Sequence, residues 1–462
     1  MTPDAGAGRL APPAAGVLRK RLLRISGSLR AGSLKAQLAR GAAKAFVINL
    51  ASVGLGFLSQ LVLARVLGVE GYGIYAYVFA WVTVLGLLAR SGFPTSLLRF
   101  VSAYRVQQEW GLLRGVIRFA EVRVAVASVL VALVGSAVVW ALAERLGLAL
   151  ANAFLVGLWA VPLVAMVEVR CAIARALGQV TMALVPERLV PQAILVVCIG
   201  FIFFLPAADV GPVLALGFRV TGLAVALALV SWVAWNARRA VVAPNQPLAT
   251  GEQAAWRSAA LALLALAVLQ AVRRHADVLL VGFLLDTTDA GIYRVASYVA
   301  GLVAFPLGAI NIVFAPVISA YHAQGDRESL QAMVTATARW IFATALVIAL
   351  PLLIAPEFIL GLFGSDFVAG ATALRILLIG QLINALTGSV GFLMTMTGHE
   401  RPATVIFGVA AALAVVLTVA LVPVFGISGA AAATASGLVL WNLALAVFIY
   451  RRLGVVPSIV RI

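Results

Sequence analysis

The sequence predicts an all-α integral membrane protein, with about twelve transmembrane helices in two pseudo-symmetric six-helix bundles around a central cavity. Three observations predict it. Of 462 residues, 63% are hydrophobic and 11% charged, with a mean hydropathy of +1.08, whereas a soluble chain is roughly 45–50% apolar and about 25% charged. The apolar residues gather into runs near the roughly 20 residues that a bilayer crossing takes. The basic residues fall almost entirely on one side of those runs. A water-soluble enzyme, a disordered protein and a single-anchor protein are excluded.

Apolar runs broken by charge, Pro/Gly or polar clusters mark the spans in order, at roughly 45–66, 74–98, 117–141, 150–174, 189–205, 211–236, 258–285, 292–318, 340–355, 371–397, 402–423 and 427–450. A basic tail (1–44) precedes them, and a linker (237–257) divides an N-terminal half (45–236) from a C-terminal half (258–450). A short tail (451–462) follows. In the first tail Leu18, Leu22, Ile25 and Leu29 share a helical face with Arg19, Lys20, Arg21 and Arg24 interleaved. Such a segment can lie on an anionic leaflet. Gly27 and Gly32 weaken the helix, so a basic tail that merely fixes orientation is the equal alternative.

The basic residues test the span count. With the N-terminus in the cytoplasm, 24 Arg and Lys fall in the two tails and the even-numbered turns, against Arg145 alone outside. This asymmetry is what the positive-inside rule expects of twelve spans with both termini cytoplasmic. The formal net charge of +17 is therefore read as contact with anionic membrane lipids and not with nucleic acid. Cys171 and Cys198 lie inside apolar runs and form no disulfide or metal framework.

At an offset of 218, Gly73-Ile74-Tyr75 at the start of span 2 aligns with Gly291-Ile292-Tyr293 at the start of span 8, each after an apolar helix and a short acidic turn. Gly178-Gln179 and Gly398-His399 echo the repeat more faintly. Six spans per half makes the repeat parallel, and two such bundles enclose a cavity that rocking exposes to each side in turn.

Nine Arg remain within the spans. Arg65, Arg294 and Arg375 lie near the outer ends, and Arg123 and Arg170 near the inner interface, where snorkelling accounts for them. Span 7 places Arg273 and Arg274 near its centre, with Asp277 on a shared helical face to neutralise one of them. Arg90 lies mid-span beside Ser91, Gly92 and Pro94, and Arg219 lies in span 6. A mid-helix Arg costs at least about 2.5–3.5 kcal/mol, so each should face a wet cavity or a partner. One reading lines a cavity for an anionic substrate with Arg90, Arg273, Arg274 and Arg219, Arg being suited to phosphate by its planar fork. The other is a set of buried ion pairs, Arg273 or Arg274 with Asp277, and Arg90 or Arg219 with Glu168. Asn311, Gln381 and Asn384 could add uncharged contacts to substrate or between helices.

His275, His322 and His399 are far apart, and no metal-ligand spacing or Walker-type loop occurs. No cofactor is expected. An acidic pair or large outer loop, as a membrane glycosyltransferase or ligase would need, is also missing, which leaves such an enzyme as an alternative only.

Residues 60–75, Gln-Leu-Val-Leu-Ala-Arg-Val-Leu-Gly-Val-Glu-Gly-Tyr-Gly-Ile-Tyr, followed by Gly92-Phe93-Pro94 and Arg99, resemble the opening of the Wzx-like polysaccharide transporters of the multidrug/oligosaccharidyl-lipid/polysaccharide exporter superfamily. Asp277-Val278-Leu279-Leu280 with Gly291-Ile292-Tyr293 is similar to the start of that family's second half, and residues 426–431 to its last outer turn. The resemblance implies a non-enzymatic flippase of the bacterial inner membrane. Its cargo would be an undecaprenyl-diphosphate-linked oligosaccharide, and its pathway partners glycosyltransferases and a polymerase. It also implies cavity Arg on the pyrophosphate, a role that Arg90, Arg273 and Arg274 match by depth. The drug-exporting branch often carries a carboxylate in an early span, and spans 1 and 2 have none within them.

Overall fold

The computed structural model describes residues 14–203, 210–241, 249 and 251–459. Side chains of residues 14–42, 202, 203, 241, 266, 273, 309, 312, 313, 315 and 316 lie outside the described set, and with them the Arg273 side chain and the amphipathic face expected over Leu18–Leu29.

Among the described residues every regular element is a helix, and ten helices are long and apolar enough to cross a membrane. Two of them, Ala43–Arg90 and Glu400–Leu453, run 48 and 54 residues. At about 1.5 Å per residue each would far exceed a bilayer core of about 30 Å if straight. Each turns back at a glycine instead, Gly68 at φ 67° and Gly426 at φ 57°, a conformation that costs an L side chain about 1–2 kcal/mol. Counted on both sides of these turns, the ten helices make the twelve crossings that the sequence predicts. In the second hairpin a Cβ on Gly429 would stand 2.4 Å from the Leu421 carbonyl, and one on Gly437 2.7 Å from Ala414 Cβ. Small residues thus let spans 11 and 12 close face to face, which is how helices associate where lipid removes the hydrophobic drive.

Several boundaries differ from the expected ones, and those of spans 2 and 9 have plain local causes. Span 2 stops at Arg90 and not near 98. Ser91 and Gly92 both take positive φ, and a new helix, Phe93–Gln107, starts with Pro94 in its first turn, where proline is tolerated. Gly92 presses on span 7 so closely that a Cβ would come 2.2 Å from the Ala260 carbonyl. Span 9 is carried by a helix that begins at Arg327, because the Asp326 carboxylate accepts from Ser329 N at 3.0 Å and caps it.

The packing is asymmetric along the molecule. Spans 2 and 8 with the adjoining ends of their neighbours form one large core that both halves share, built on Tyr72, Tyr75, Val78, Tyr293, Val295 and Val299. At the other end, where the Arg-bearing turns gather (the basic end), the cores are separate. One, around Leu97, Val116 and Trp256, belongs to the N-terminal half and the base of span 7, and another, around Ile318, Leu330 and Met394, to the C-terminal half. The halves are therefore sealed at the Gly68 end and divided at the basic end.

The seal is a backbone contact. A Cβ on Gly73 would lie 2.1 Å from the Thr287 carbonyl, and one on Gly291 2.7 Å from Gly73 Cα, so the two duplicated glycines meet each other across the pseudo-symmetry axis. Arg65 reinforces it, donating from Nε to the Leu362 carbonyl at 2.5 Å and from Nη2 to that of Gly361 at 3.1 Å. At the basic end the base of span 7 is fixed to the N-terminal half. Buried Trp256 donates to the Tyr104 hydroxyl at 2.9 Å, Tyr104 donates to the Glu252 carboxylate, and Ala249 N donates to the Gly111 carbonyl at 3.2 Å. Burial first, and the adjacent Glu252 second, push the Tyr104 phenol up to about 12, so it stays a donor at neutral pH. Outward faces are apolar, as a lipid-facing surface requires: Val126, Leu130 and Val134 form an exposed stripe at four-residue spacing on span 3.

Candidate substrate cavity between the halves

Spans 1, 2, 5, 6, 7 and 8 enclose a cavity of about 300 Å³ beneath the seal. Its polar wall carries Gln60, Thr83, Arg188, Gln192, Arg219 and Arg294, with His275 from span 7. Three guanidinium groups face the space, and no Asp or Glu is among its described lining residues. Arg219 lies 4.7 Å over the Phe79 ring, which holds its side chain in place, and its Nε is buried with no hydrogen-bond partner among the described residues. Arg294 stands 6.0 Å from the Tyr298 ring. Neither forms an ion pair with a described carboxylate. Arg188 lies 3.5 Å from Glu187, which Arg175 also approaches at 3.6 Å. The net field in the cavity is positive, between protein walls where charge interactions are stronger than in bulk water.

The candidates from the sequence are dispersed over several sites. Arg219 lines this cavity. Arg90 forms an ion pair with Glu168 of span 4, the second of its two sequence readings. Arg274 is exposed, and the side chain of Arg273 is outside the described residues. Asp277 is buried; its Oδ2 accepts from Tyr293 OH at 3.0 Å and its Oδ1 from Val278 N at 2.8 Å, and it forms no ion pair with Arg274 among the described residues. It borders a smaller cavity of about 100 Å³ with Thr418, Thr434 and Gln381. Asn311 borders a third space in the C-terminal half, with Asn384 and Asn442.

A family model for polysaccharide biosynthesis proteins matches residues 38–322. The chain belongs to that family. This polysaccharide biosynthesis protein shares its fold with a multidrug resistance MATE-family transporter of the MOP superfamily in an inward-facing conformation (TM-score 0.70, 11% identity, covering 88% of this chain and 98% of that one). It is similar in fold to the lipid II flippase MurJ in an inward closed conformation (TM-score 0.61, 11% identity, 87% and 86% covered). A third similar structure is a MOP superfamily transporter from Pyrococcus furiosus (TM-score 0.62, 12% identity, 89% and 94% covered). No curated protein sequence matches the chain.

Sequence reasoning missed Arg294 of this family member, because its position at the start of span 8, near the expected outer interface, is compatible with snorkelling. The repeat carries the signal that finds it. At the offset of 218, Ala76 and Ala80 of span 2 correspond to Arg294 and Tyr298 of span 8, and all four line the cavity. The duplicated helices present equivalent faces to the interior, with alanine at one position and arginine at its counterpart.

Proposed function

We propose that the protein exports an undecaprenyl-diphosphate-linked oligosaccharide across the bacterial inner membrane for cell-surface polysaccharide synthesis. It does so by alternating access, with Arg219 and Arg294 holding the diphosphate. One observation carries this reading: three guanidinium groups and no described carboxylate line a cavity between two pseudo-symmetric halves. Such a field repels a cationic drug and attracts a diphosphate, whose oxygens accept paired hydrogen bonds from the planar guanidinium fork. The unpartnered Arg219 Nε gains a hydrogen bond when the anion arrives, which relieves a burial cost of about 1–3 kcal/mol.

The basic end faces the cytoplasm by the positive-inside rule, so the divided end admits cargo from the inner leaflet while the Gly73–Gly291 seal closes the other side. A groove of about 450 Å³ between Ala89–Phe93, Val122–Leu130 and Arg257–Leu261 gives the prenyl tail an apolar path that stays in contact with lipid. Arg90, braced by Glu168, holds span 2 against span 4. Arg273 and Arg274 immediately precede His275 in span 7 and offer the diphosphate a further basic contact as the halves move. Cargo comes from glycosyltransferases and passes to a polymerase, and the chain itself catalyses no bond change.

Replacing Arg219 and Arg294 together with Gln removes two charge-assisted contacts, about 3–6 kcal/mol or roughly 10²–10⁴ in affinity for the diphosphate. Surface polysaccharide is expected to disappear while the variant reaches the membrane at wild-type level. Normal export by that variant would overturn the assignment.

A further inference from the structure

We propose that the third cavity, inside the C-terminal half, is a binding subsite for an uncharged sugar unit of the cargo; the substrate class rests on the export reading. The space holds about 260 Å³ between spans 8, 10 and 12, and Asn311, Gln381, Asn384, Ser389, Trp441 and Asn442 are its polar lining. No charged residue is among the described lining residues, which sets it apart from the arginine cavity.

Three atoms on this wall are buried without a hydrogen-bond partner among the described residues: Asn311 Oδ1, Ser389 Oγ and Trp441 Nε1. Asn311 is only 6% exposed. Each such atom costs about 1–3 kcal/mol, and buried polar groups are otherwise satisfied in about 90% or more of cases. Three around one space point to a ligand that completes them. Their chemistry restricts what it is. The amide oxygen only accepts, the indole N–H only donates and the serine hydroxyl does both. A cation would satisfy only the acceptors and an anion only the donors, whereas hydroxyl groups satisfy all three. A sugar ring carries several hydroxyls and an apolar C–H face suited to an aromatic wall of the kind Trp441 and Phe392 supply.

The wall is held in place before any ligand arrives. Asn442, fully buried, donates to Asn384 Oδ1 at 3.0 Å and to the Leu438 carbonyl at 2.8 Å, and its Oδ1 accepts from Thr387 Oγ1 at 3.0 Å. Asn384 is thereby fixed, with its amide N–H at 3.5 Å from Gln381 Oε1 and free to exchange that long contact for a shorter one. Arg294 and Asn311 lie on the same span, up to about 25 Å apart by helical rise. A diphosphate at the first and a sugar at the second are therefore joined only through several intervening units, so the subsite reads a distal sugar of the oligosaccharide.

Saturation-transfer NMR on the purified full chain in detergent tests this directly, with the methyl glycosides of glucose, galactose, mannose, rhamnose and N-acetylglucosamine as probes. At least one is expected to bind, Asn311→Ala and Ser389→Ala each to weaken it about 3–10-fold, and the Arg219→Gln/Arg294→Gln variant to bind it as wild type does. Ser389→Ala deletes one oxygen, and an unchanged thermal unfolding curve separates lost binding from lost folding. No binding by any glycoside, or binding that both substitutions leave unaltered, would mean that the space holds only water and would overturn the proposal. Inorganic pyrophosphate titrated in parallel reports on the arginine cavity. If wild type ignores pyrophosphate yet binds a glycoside through Asn311, the diphosphate reading fails and the sugar subsite stands.

Discussion

Arg90 and Arg219 start from the same problem, a guanidinium deep in an apolar run, and reach different answers. Arg90 has Glu168 across from it, with 15% and 34% of the two side chains exposed, so its charge is answered within the protein. Arg219 has an aromatic face and the cavity between the halves. Sequence spacing could list Glu168 as a partner for either one, because it fixes distances along a helix and not between helices. A double-mutant cycle with Arg90→Gln and Glu168→Gln is expected to give a coupling energy of about 1–2 kcal/mol, below that of a fully buried pair because Glu168 is partly solvated. Thermal unfolding of the four detergent-solubilised proteins measures it, and additive effects would remove the pair from the stability of span 2. Asp277 gives the converse lesson. Its three-residue spacing from Arg274 suggests an ion pair, yet among the described residues the carboxylate is engaged by Tyr293 of the neighbouring span and not by Arg274.

Glycines divide into those that turn an element and those that let two elements meet. Gly426 has positive φ and nothing within 4 Å of a built Cβ, whereas Gly73 has a carbonyl 2.1 Å from it. Gly426→Ala is therefore expected to cost only the left-handed strain, about 1–2 kcal/mol. Gly73→Ala or Gly291→Ala must force spans 2 and 8 apart and cost more than about 3 kcal/mol, as overpacking at backbone contact does. Comparing the midpoints of thermal unfolding decides this, and equal losses would contradict it. The Gly-Ile-Tyr repeat was legible in the sequence and so was its place in the span order. That the two copies touch was not, since self-comparison shows equivalence and says nothing of distance.

At the scale of the molecule, one shared core and two separate ones define which end is closed. Single cysteines at Thr83 and Gln192, placed in a chain with Cys171 and Cys198 replaced, are expected to react with a membrane-impermeant maleimide from the basic side only. Arg65→Ala removes two donors from the Gly361 and Leu362 carbonyls and is expected to raise labelling from the opposite side several-fold, by shifting the population toward the state open there. Unchanged sidedness in that variant would show that the glycine contact alone sets the closed state.

The sequence by itself determined the class of the protein, its crossings, the gathering of its basic residues at one side of the spans and its duplication. All of these follow from local composition and from the cost of burying backbone and charge in lipid, which each segment meets on its own terms. Which arginines share a space was decided only by the tertiary structure. Arg219 and Arg294 sit on different halves, 75 positions apart, and face one cavity because spans 2 and 8 cross at Gly73 and Gly291. A charge's depth is written in its own helix, but whether it meets a carboxylate, an aromatic face or an open cavity depends on what another helix brings alongside it.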